Sequence, residues 1–134
     1  MIQKTILKFI AYILFSLGIS MLMTSLWSLY YNENDFLAFI QSGVFTIGVS
    51  LILIILSRGK SKSSINLKEG FYVVTIAWIV LALFCSLPYY QSIYFTNFID
   101  AFFESMSGIT TTGATVIGSN SKYSIEDLPH GILF

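Results

Sequence analysis

The sequence predicts an all-α membrane protein in which three transmembrane helices precede one helix of about half their length. Of its 134 residues, 55% are hydrophobic and only 10% are charged, whereas a soluble domain carries about 25% charged residues. Three runs without a charge are each close to the ~20 apolar residues that a helix needs to cross a bilayer. A fourth apolar pattern begins near residue 98 with helical spacing and is too short to cross.

The first uncharged run covers residues 9–31 and follows Lys4 and Lys8. A signal peptide also begins with basic residues, but its apolar core is only about 7–15 residues long and precedes a small-residue cleavage site. This run is longer, and it ends with Trp27 and Tyr31, whose rings suit a membrane interface. We therefore interpret it as helix 1.

The second and third runs predict helix 2 over residues 36–57 and helix 3 from residue 71 to about residue 90. Pro88 stands near the end of helix 3, lacks a backbone donor and disfavours a helical conformation in the residue before it. We expect helix 3 to end or bend at that proline. The single cysteine, Cys85, lies inside this run and excludes an intrachain disulfide.

Small hydroxyl residues recur at every fourth position in the first two helices. They are Ser16, Ser20, Thr24 and Ser28 in helix 1, and Ser42, Thr46 and Ser50, beside Gly43, in helix 2. In helix 1 such a stripe either lets a neighbouring helix approach closely or bonds its own preceding turns, and the sequence leaves both possibilities open. In helix 2 we expect the striped face to meet helix 1.

Basic residues are concentrated on one side of the predicted membrane. Six of the seven basic residues precede helix 1 or lie between helices 2 and 3: Lys4, Lys8, Arg58, Lys60, Lys62 and Lys68. Short cytoplasmic loops are enriched in Lys and Arg, so we predict a multi-pass protein of the plasma (inner) membrane with a cytoplasmic N-terminus. The chain then divides into two helices with an acidic outer link (residues 1–58), a basic cytoplasmic loop (59–70) and a C-terminal part (71–134).

The short helix follows Asn97, which is placed to cap it, with Asp100 three residues later as in a capping box. Apolar residues at helical spacing continue to about residue 108, which gives a length of ~16 Å, or half a bilayer. Irregular backbone at membrane depth is tolerated only where it is buried in protein or lines a watery cavity. We therefore interpret this element as a re-entrant pore helix that enters from outside. Its inward C-terminus carries about −0.5 of an elementary charge and favours a cation.

The stretch from Glu104 to Val116 consists mainly of small and hydroxyl residues, with two glycines and no basic residue. We predict that residues 110–114 form a loop whose backbone carbonyls replace the hydration shell of a cation such as K⁺. Gly113 can adopt the backbone angles that such a loop requires at little steric cost. A polar surface turn is the alternative, because Thr and Gly are common in turns.

Two further features of this stretch need an interpretation. Gly108 and Gly113 have the spacing of a phosphate-binding loop, but Ala114 stands where that motif requires Lys, so a nucleotide site is not expected. Glu104 lies on the short helix without a basic residue nearby in sequence. A carboxylate inside a membrane is a functional hypothesis by default, and we favour a structural role for it over ion coordination.

The segment from Glu104 to Val116 resembles the pore loop of the Trk/Ktr/HKT superfamily of cation transporters, and most closely that of Trk-type potassium uptake subunits. The string Leu128-Pro129-His130-Gly131 resembles the start of the helix that follows such a loop. The resemblance implies four helix–pore–helix repeats around a single pore, each giving one filter strand. It implies K⁺ coordination by carbonyls of Thr111 and Thr112, with Gly113 and Thr110 completing the strand.

The same resemblance implies a homodimer that works with a cytoplasmic nucleotide-binding regulatory subunit. Residues 71–134 would then hold the first helix of repeat one, its pore helix, its filter loop and the start of the next helix. We accordingly expect a truncated, N-terminal part of the pore-forming subunit of a potassium uptake system. One filter strand cannot surround an ion, so these residues by themselves are not expected to conduct.

Other classes of function find less support in the sequence. A small non-conducting membrane scaffold or assembly protein is the alternative, with the Thr/Gly loop as a surface turn. An enzyme is not expected, because the sequence shows no nucleophile–base pair and no His, Cys and carboxylate cluster with metal-ligand spacing. No cofactor is expected, and zero net charge gives no nucleic-acid footprint.

Overall fold

Four helices make up the regular structure of the part of the chain that the structure, a computed structural model, describes: residues 2–31, 35–59, 66–92, 95 and 97–116. They are α1 (Ile2–Tyr30), α2 (Phe36–Leu56), α3 (Leu67–Gln91) and α4 (Phe98–Ile109). The first three are long and apolar enough to cross a membrane, which confirms three predicted crossings by length and composition. The predicted helix start at residues 128–131 lies outside the described residues.

Two helices begin earlier than the apolar runs suggest. α1 begins at Ile2, so Lys4 and Lys8 are helical and exposed; a charge ends the apolar run but not the helix. α3 begins at Leu67 because Asn66 precedes it as N-cap, and the Asn66 N–H donates to Glu69 Oε2 at 3.1 Å. That Asn-to-Glu spacing belongs to a capping box and can be read in the sequence. The basic loop predicted to extend to residue 70 therefore ends sooner.

The sequence predicts helix 3 to about residue 90, with an end or a bend at Pro88; α3 does not end at the proline but continues to Gln91. Proline removes the hydrogen bond of its own nitrogen only, and its carbonyl remains an acceptor. The Ser92 N–H donates to Pro88 O at 3.0 Å and to Tyr89 O at 3.2 Å, which closes the last turn.

The face of α2 that carries small residues packs against α1, as predicted. Ser42, Gly43, Thr46 and Ser50 are all buried. Ser50 Oγ donates to the Ala11 carbonyl at 2.8 Å. A Cβ built on Gly18 would lie 2.5 Å from Ile47 Cγ1 and 3.2 Å from Gly43 O. The two backbones therefore approach so closely that glycine is needed at the crossing.

The hydroxyl stripe of α1 lies off the packed face along most of its length, and of its four residues only Ser28 is buried. Ser16 and Ser20 are exposed, and the Thr24 hydroxyl donates to Ser20 O at 3.1 Å, within its own helix. A four-residue spacing drifts by about 40° per step around a helix of 3.6 residues per turn. Steps of three and four alternate to keep one face. Six of the buried residues of α1 follow that alternation: Ala11, Leu14, Gly18, Met21, Ser25 and Ser28.

The two ends of the helix bundle differ in chemistry. At one end Phe39, Phe95 and Ala101 form a small apolar cluster, and Tyr89 packs edge-on against Phe95 with ring centroids 5.6 Å apart. This cluster joins the start of α2, the end of α3 and the start of α4. At the opposite end, a Cβ on Gly59 would lie 3.1 Å from Lys4 Nζ. The three long helices therefore run antiparallel in sequence order.

Candidate cation site

α4 begins at the aromatic end and packs along α3. Asn97 precedes it as predicted, but its side chain caps no backbone N–H; its Nδ2 instead donates to Asp100 Oδ2 at 3.3 Å. Ala101 and Ser105 are buried against α3, and Ser105 Oγ donates to the Ala82 carbonyl at 3.1 Å. Ala82 lies about 14 Å from the end of α3 at 1.5 Å of rise per residue. The C-terminal half of α4 is therefore level with the middle of α3.

The end of α4 is a Schellman motif with a threonine in the left-handed position. The Thr112 N–H donates to Ser107 O at 3.0 Å, and the Thr111 N–H donates to Gly108 O at 3.1 Å. This pair of bonds defines the motif, whose left-handed residue is usually glycine. Here that residue is Thr111, with φ 54°. A β-branched residue in this region is a conformational outlier that costs roughly 1–3 kcal/mol.

Gly113 is the second residue of the loop with a positive φ, at 70°. This is the glycine that we expected to adopt an angle costly for other residues. A Cβ built on it would meet no heavy atom within 4 Å among the described residues. Gly113 is therefore required by its backbone angle and not by lack of space.

The threonine hydroxyls lie close to one another at the helix end. Thr110 Oγ1 donates to Met106 O at 2.8 Å and lies 2.7 Å from Thr112 Oγ1. Residues 110–115 are exposed in the described part of the chain. The structure thus places the four predicted K⁺ ligands, Thr110, Thr111, Thr112 and Gly113, in one accessible loop. Their role in binding K⁺ stays a prediction.

After the loop the chain reverses and returns along α4. The Val116 N–H donates to Glu104 Oε2 at 3.1 Å, across twelve positions of sequence. Glu104 lies more than one turn before the end of α4 at Ile109, so the chain has turned back by Val116. The sequence suggests a structural role for Glu104 but contains no signal for this partner.

The electrostatic environment of the loop favours a cation. Residues 97–116 include Asp100 and Glu104 and no Lys, Arg or His. The last turn of α4 carries no basic side chain, so the negative end of its dipole is not compensated there. Within the described ranges, no three His, Cys, Asp or Glu residues come together in a group that could hold a metal. Oxygens of the loop itself are therefore the candidate ligands.

Three helices of membrane-spanning length indicate a multi-pass membrane protein, and the short helix with its oxygen-rich loop is its candidate cation site. A family model described as TrkH, cation transport protein, matches residues 35–129. This match covers well over half of the chain, and the chain belongs to the TrkH family of cation transport proteins. The predicted resemblance is thereby confirmed, and the family is one of transporters and not a class of enzymes.

Individual relatives and a solved structure agree with this assignment. The chain is 36% identical over 118 residues to the uncharacterized cation transporter MJ1485 of Methanocaldococcus jannaschii, covering 88% of this chain and 23% of the relative. It is 34% identical over 116 residues to the Trk system potassium uptake protein TrkH of Escherichia coli, covering 86% and 23%. The crystal structure of the potassium transporter TrkH from Vibrio parahaemolyticus superposes with a TM-score of 0.84 at 29% identity, covering all of this chain and 28% of that one. The chain thus spans about a quarter of the length of these relatives.

Proposed function

We propose that this chain contributes to potassium ion uptake across the plasma membrane as part of the pore-forming subunit of a Trk-type transporter. In this proposal the backbone oxygens of Thr110, Thr111, Thr112 and Gly113 coordinate K⁺ as one filter strand. Support comes from the family and from relatives that are named potassium uptake proteins.

One observation about the loop carries the proposal further than the family does. Thr111 and Gly113 have positive φ, and Thr112 between them does not. A backbone that alternates between the two halves of φ space can turn successive carbonyl groups to the same side, whereas in a strand they alternate. Carbonyl oxygens gathered in this way are the ligands that replace the hydration shell of K⁺ in a filter.

The position of the loop supports the same reading. α4 is pinned by Ser105 at the level of mid-α3, so it would re-enter the membrane without crossing it. Its C-terminal dipole would then stabilise a cation near the bilayer centre. Helix ends and irregular backbone at such depth require a watery cavity or protein around them, and a pore built from further strands would supply both.

Orientation and assembly form part of the proposal. The basic end of the bundle, with Lys4 and Arg58, would face the cytoplasm, and α4 would enter from outside. The membrane potential would then favour inward flow by ~2.3 kcal/mol per charge per 100 mV. Residues 71–134 would form most of the first of four repeats, with the remaining strands, a second subunit and a cytoplasmic nucleotide-binding partner completing the transporter.

The test compares two substitutions in a full-length Trk-type subunit that carries this segment. Gly113→Asp places a carboxylate in a site of neutral oxygens and opposes the positive φ, so rubidium uptake should be abolished. Thr115→Ser, two residues on, should leave most of the uptake intact.

Equal rubidium uptake by the two variants would contradict the assignment of residues 110–113 to a filter. It would favour the alternative, a non-conducting membrane scaffold whose Thr/Gly loop is a surface turn. The fold would then serve as a membrane-embedded support, held together mainly by the close contact of α1 with α2.

A further inference from the structure

Glu104 places a carboxylate where an ionised group inside a membrane would cost free energy. Its neighbour Ser105 bonds the Ala82 carbonyl in the middle of α3, so Glu104 lies on a helix segment at the same depth. Ionisable groups at membrane depth are rare and pair with a partner. Residues 97–116 offer no basic side chain as that partner.

The partner of Glu104 is a backbone amide on the far side of the loop. The Val116 N–H donates to Glu104 Oε2 at 3.1 Å, within the range of a good N–H···O bond. Such a bond to a charged acceptor is stronger than one between neutral groups. Glu104 is half-buried in the described chain, which reduces competition from water.

This bond closes a loop that the helix end has already fixed on its other side. Thr111 and Thr112 are tethered through their amides to Gly108 and Ser107 in the last turn of α4. Val116 is tethered to the same helix one turn earlier. The stretch held by these attachments contains both positive φ angles, at Thr111 and Gly113, of which the angle at Thr111 is strained. Strained angles persist where the surroundings over-determine them.

We propose that Glu104 is a positioning residue whose carboxylate holds the return strand at Val116 and thereby sets the geometry of the ion-coordinating loop. This positioning role rests on the proposed function, because a loop that binds no ion does not need so precise a geometry. Binding sites must be held to within about 0.5 Å by residues behind the ligands. Glu104 would act through the backbone and would not itself touch K⁺.

The test uses three variants of a full-length Trk-type subunit that carries this segment. Glu104→Met keeps the length of the side chain and removes the acceptor, whereas Glu104→Gln keeps an acceptor oxygen without the charge. Asp100→Leu is the matched control, because it removes a carboxylate one turn earlier on the same helix. Asp100 accepts a hydrogen bond from Asn97 in the first turn of α4, at the opposite end of the helix from the loop.

The first measurement is hydrogen exchange at the Val116 amide, which does not depend on transport. Glu104→Met should accelerate this exchange by about tenfold or more, as expected for a lost bond to a charged group. Glu104→Gln should have a smaller effect, and Asp100→Leu should match the parent. If Glu104→Met does not fold, the unaltered subunit decides, since a Val116 amide that exchanges like a free amide contradicts the bond.

The second measurement is the ratio of rubidium to sodium uptake, with Gly113→Asp as a reference. The ratio should fall in Glu104→Met, fall less in Glu104→Gln and stay unchanged in Asp100→Leu. Faster exchange at Val116 with an unchanged ratio would overturn the positioning role, even where Gly113→Asp abolishes uptake. If Gly113→Asp leaves uptake intact, the filter assignment fails first, and the role of Glu104 fails with it.

Discussion

At the scale of single residues, the loop depends on two left-handed backbone angles of different origin. Gly113 adopts its φ of 70° without steric cost, and the sequence marks it as the residue to do so. Thr111 adopts a φ of 54° against its intrinsic preference. The amides of Thr111 and Thr112 donate hydrogen bonds to the last turn of α4 and hold Thr111 at this angle. The helix-end motif therefore maintains the strain.

Substitution of glycine by alanine should separate the effect of backbone angle from the effect of space. A Cβ on Gly113 or on Gly108 would meet nothing within 4 Å in the described chain, but only Gly113 has a positive φ. Gly113→Ala should destabilise the loop by about 1–2 kcal/mol, the cost of a left-handed angle for an L-residue. Gly108→Ala should be neutral or slightly stabilising, because alanine is the better helix former.

Rubidium uptake and hydrogen exchange of residues 110–116 in a full-length subunit would measure the difference. Gly113→Ala should lower uptake and raise exchange, while Gly108→Ala should do neither. Equal behaviour of the two variants would show that the angle at Gly113 is not needed.

At the scale of elements, the tightest contact is the crossing of α1 with α2. Glycine at position 18 lets the α2 backbone approach, and Ser50 adds a buried bond to Ala11 O. Lipid competes for apolar side chains, so close backbone packing and such bonds are what hold membrane helices together. α4 is held to α3 in the same way, by Ala101 and Ser105.

Gly18→Ala should therefore push the two helices apart. Its Cβ would lie 2.5 Å from Ile47 Cγ1 and 3.2 Å from the Gly43 carbonyl, and that backbone atom cannot move aside alone. We expect the free energy of unfolding to fall by about 1–3 kcal/mol because the crossing is overpacked. Gly48→Ala is the control on the partner helix, since its Cβ would meet nothing within 4 Å.

The quantity to measure is the mole fraction of SDS that half-unfolds the protein in mixed micelles, followed by near-UV circular dichroism. Gly18→Ala should lower this midpoint, and Gly48→Ala should leave it unchanged or raise it. A midpoint for Gly18→Ala equal to that of the parent would mean that the crossing tolerates a wider separation.

At the scale of the whole molecule, the antiparallel bundle has a basic end and an aromatic end. Lys4 and Gly59 meet at one end, whereas Phe39, Tyr89 and Phe95 meet at the other. This separation agrees with the basic asymmetry of the sequence and gives α4 its direction. If the basic end is cytoplasmic, as we propose, α4 enters from outside with its C-terminus directed inward.

Thiol labelling of intact cells would test this orientation. Cys85 is first replaced by Ser, and single cysteines are placed at Asn34, between α1 and α2, or at Ser61, between α2 and α3. An impermeant thiol reagent outside the cells should label Asn34→Cys only, because short basic loops remain in the cytoplasm. Labelling of Ser61→Cys from outside would reverse the orientation and, with it, the polarity of α4.

Much of this architecture could be predicted from the sequence because lipid acts on each segment separately. A backbone in hydrocarbon must satisfy its own hydrogen bonds, so an apolar run of sufficient length becomes a helix whatever its neighbours are. The bounds of α2 differ from the prediction by one residue, and those of α4 by one. The early start of α3 was also readable, in the spacing of Asn66 and Glu69.

The sequence by itself thus determined the three crossings, the short fourth helix and the residue types of the loop. Only the tertiary structure decided which face of α1 packs, that Thr111 is left-handed, and that Glu104 holds Val116. The physical reason is the distance along the chain over which the interactions act. Hydropathy and capping act within a few residues, whereas these three features depend on contacts that form only after the helices have packed and the loop has turned back.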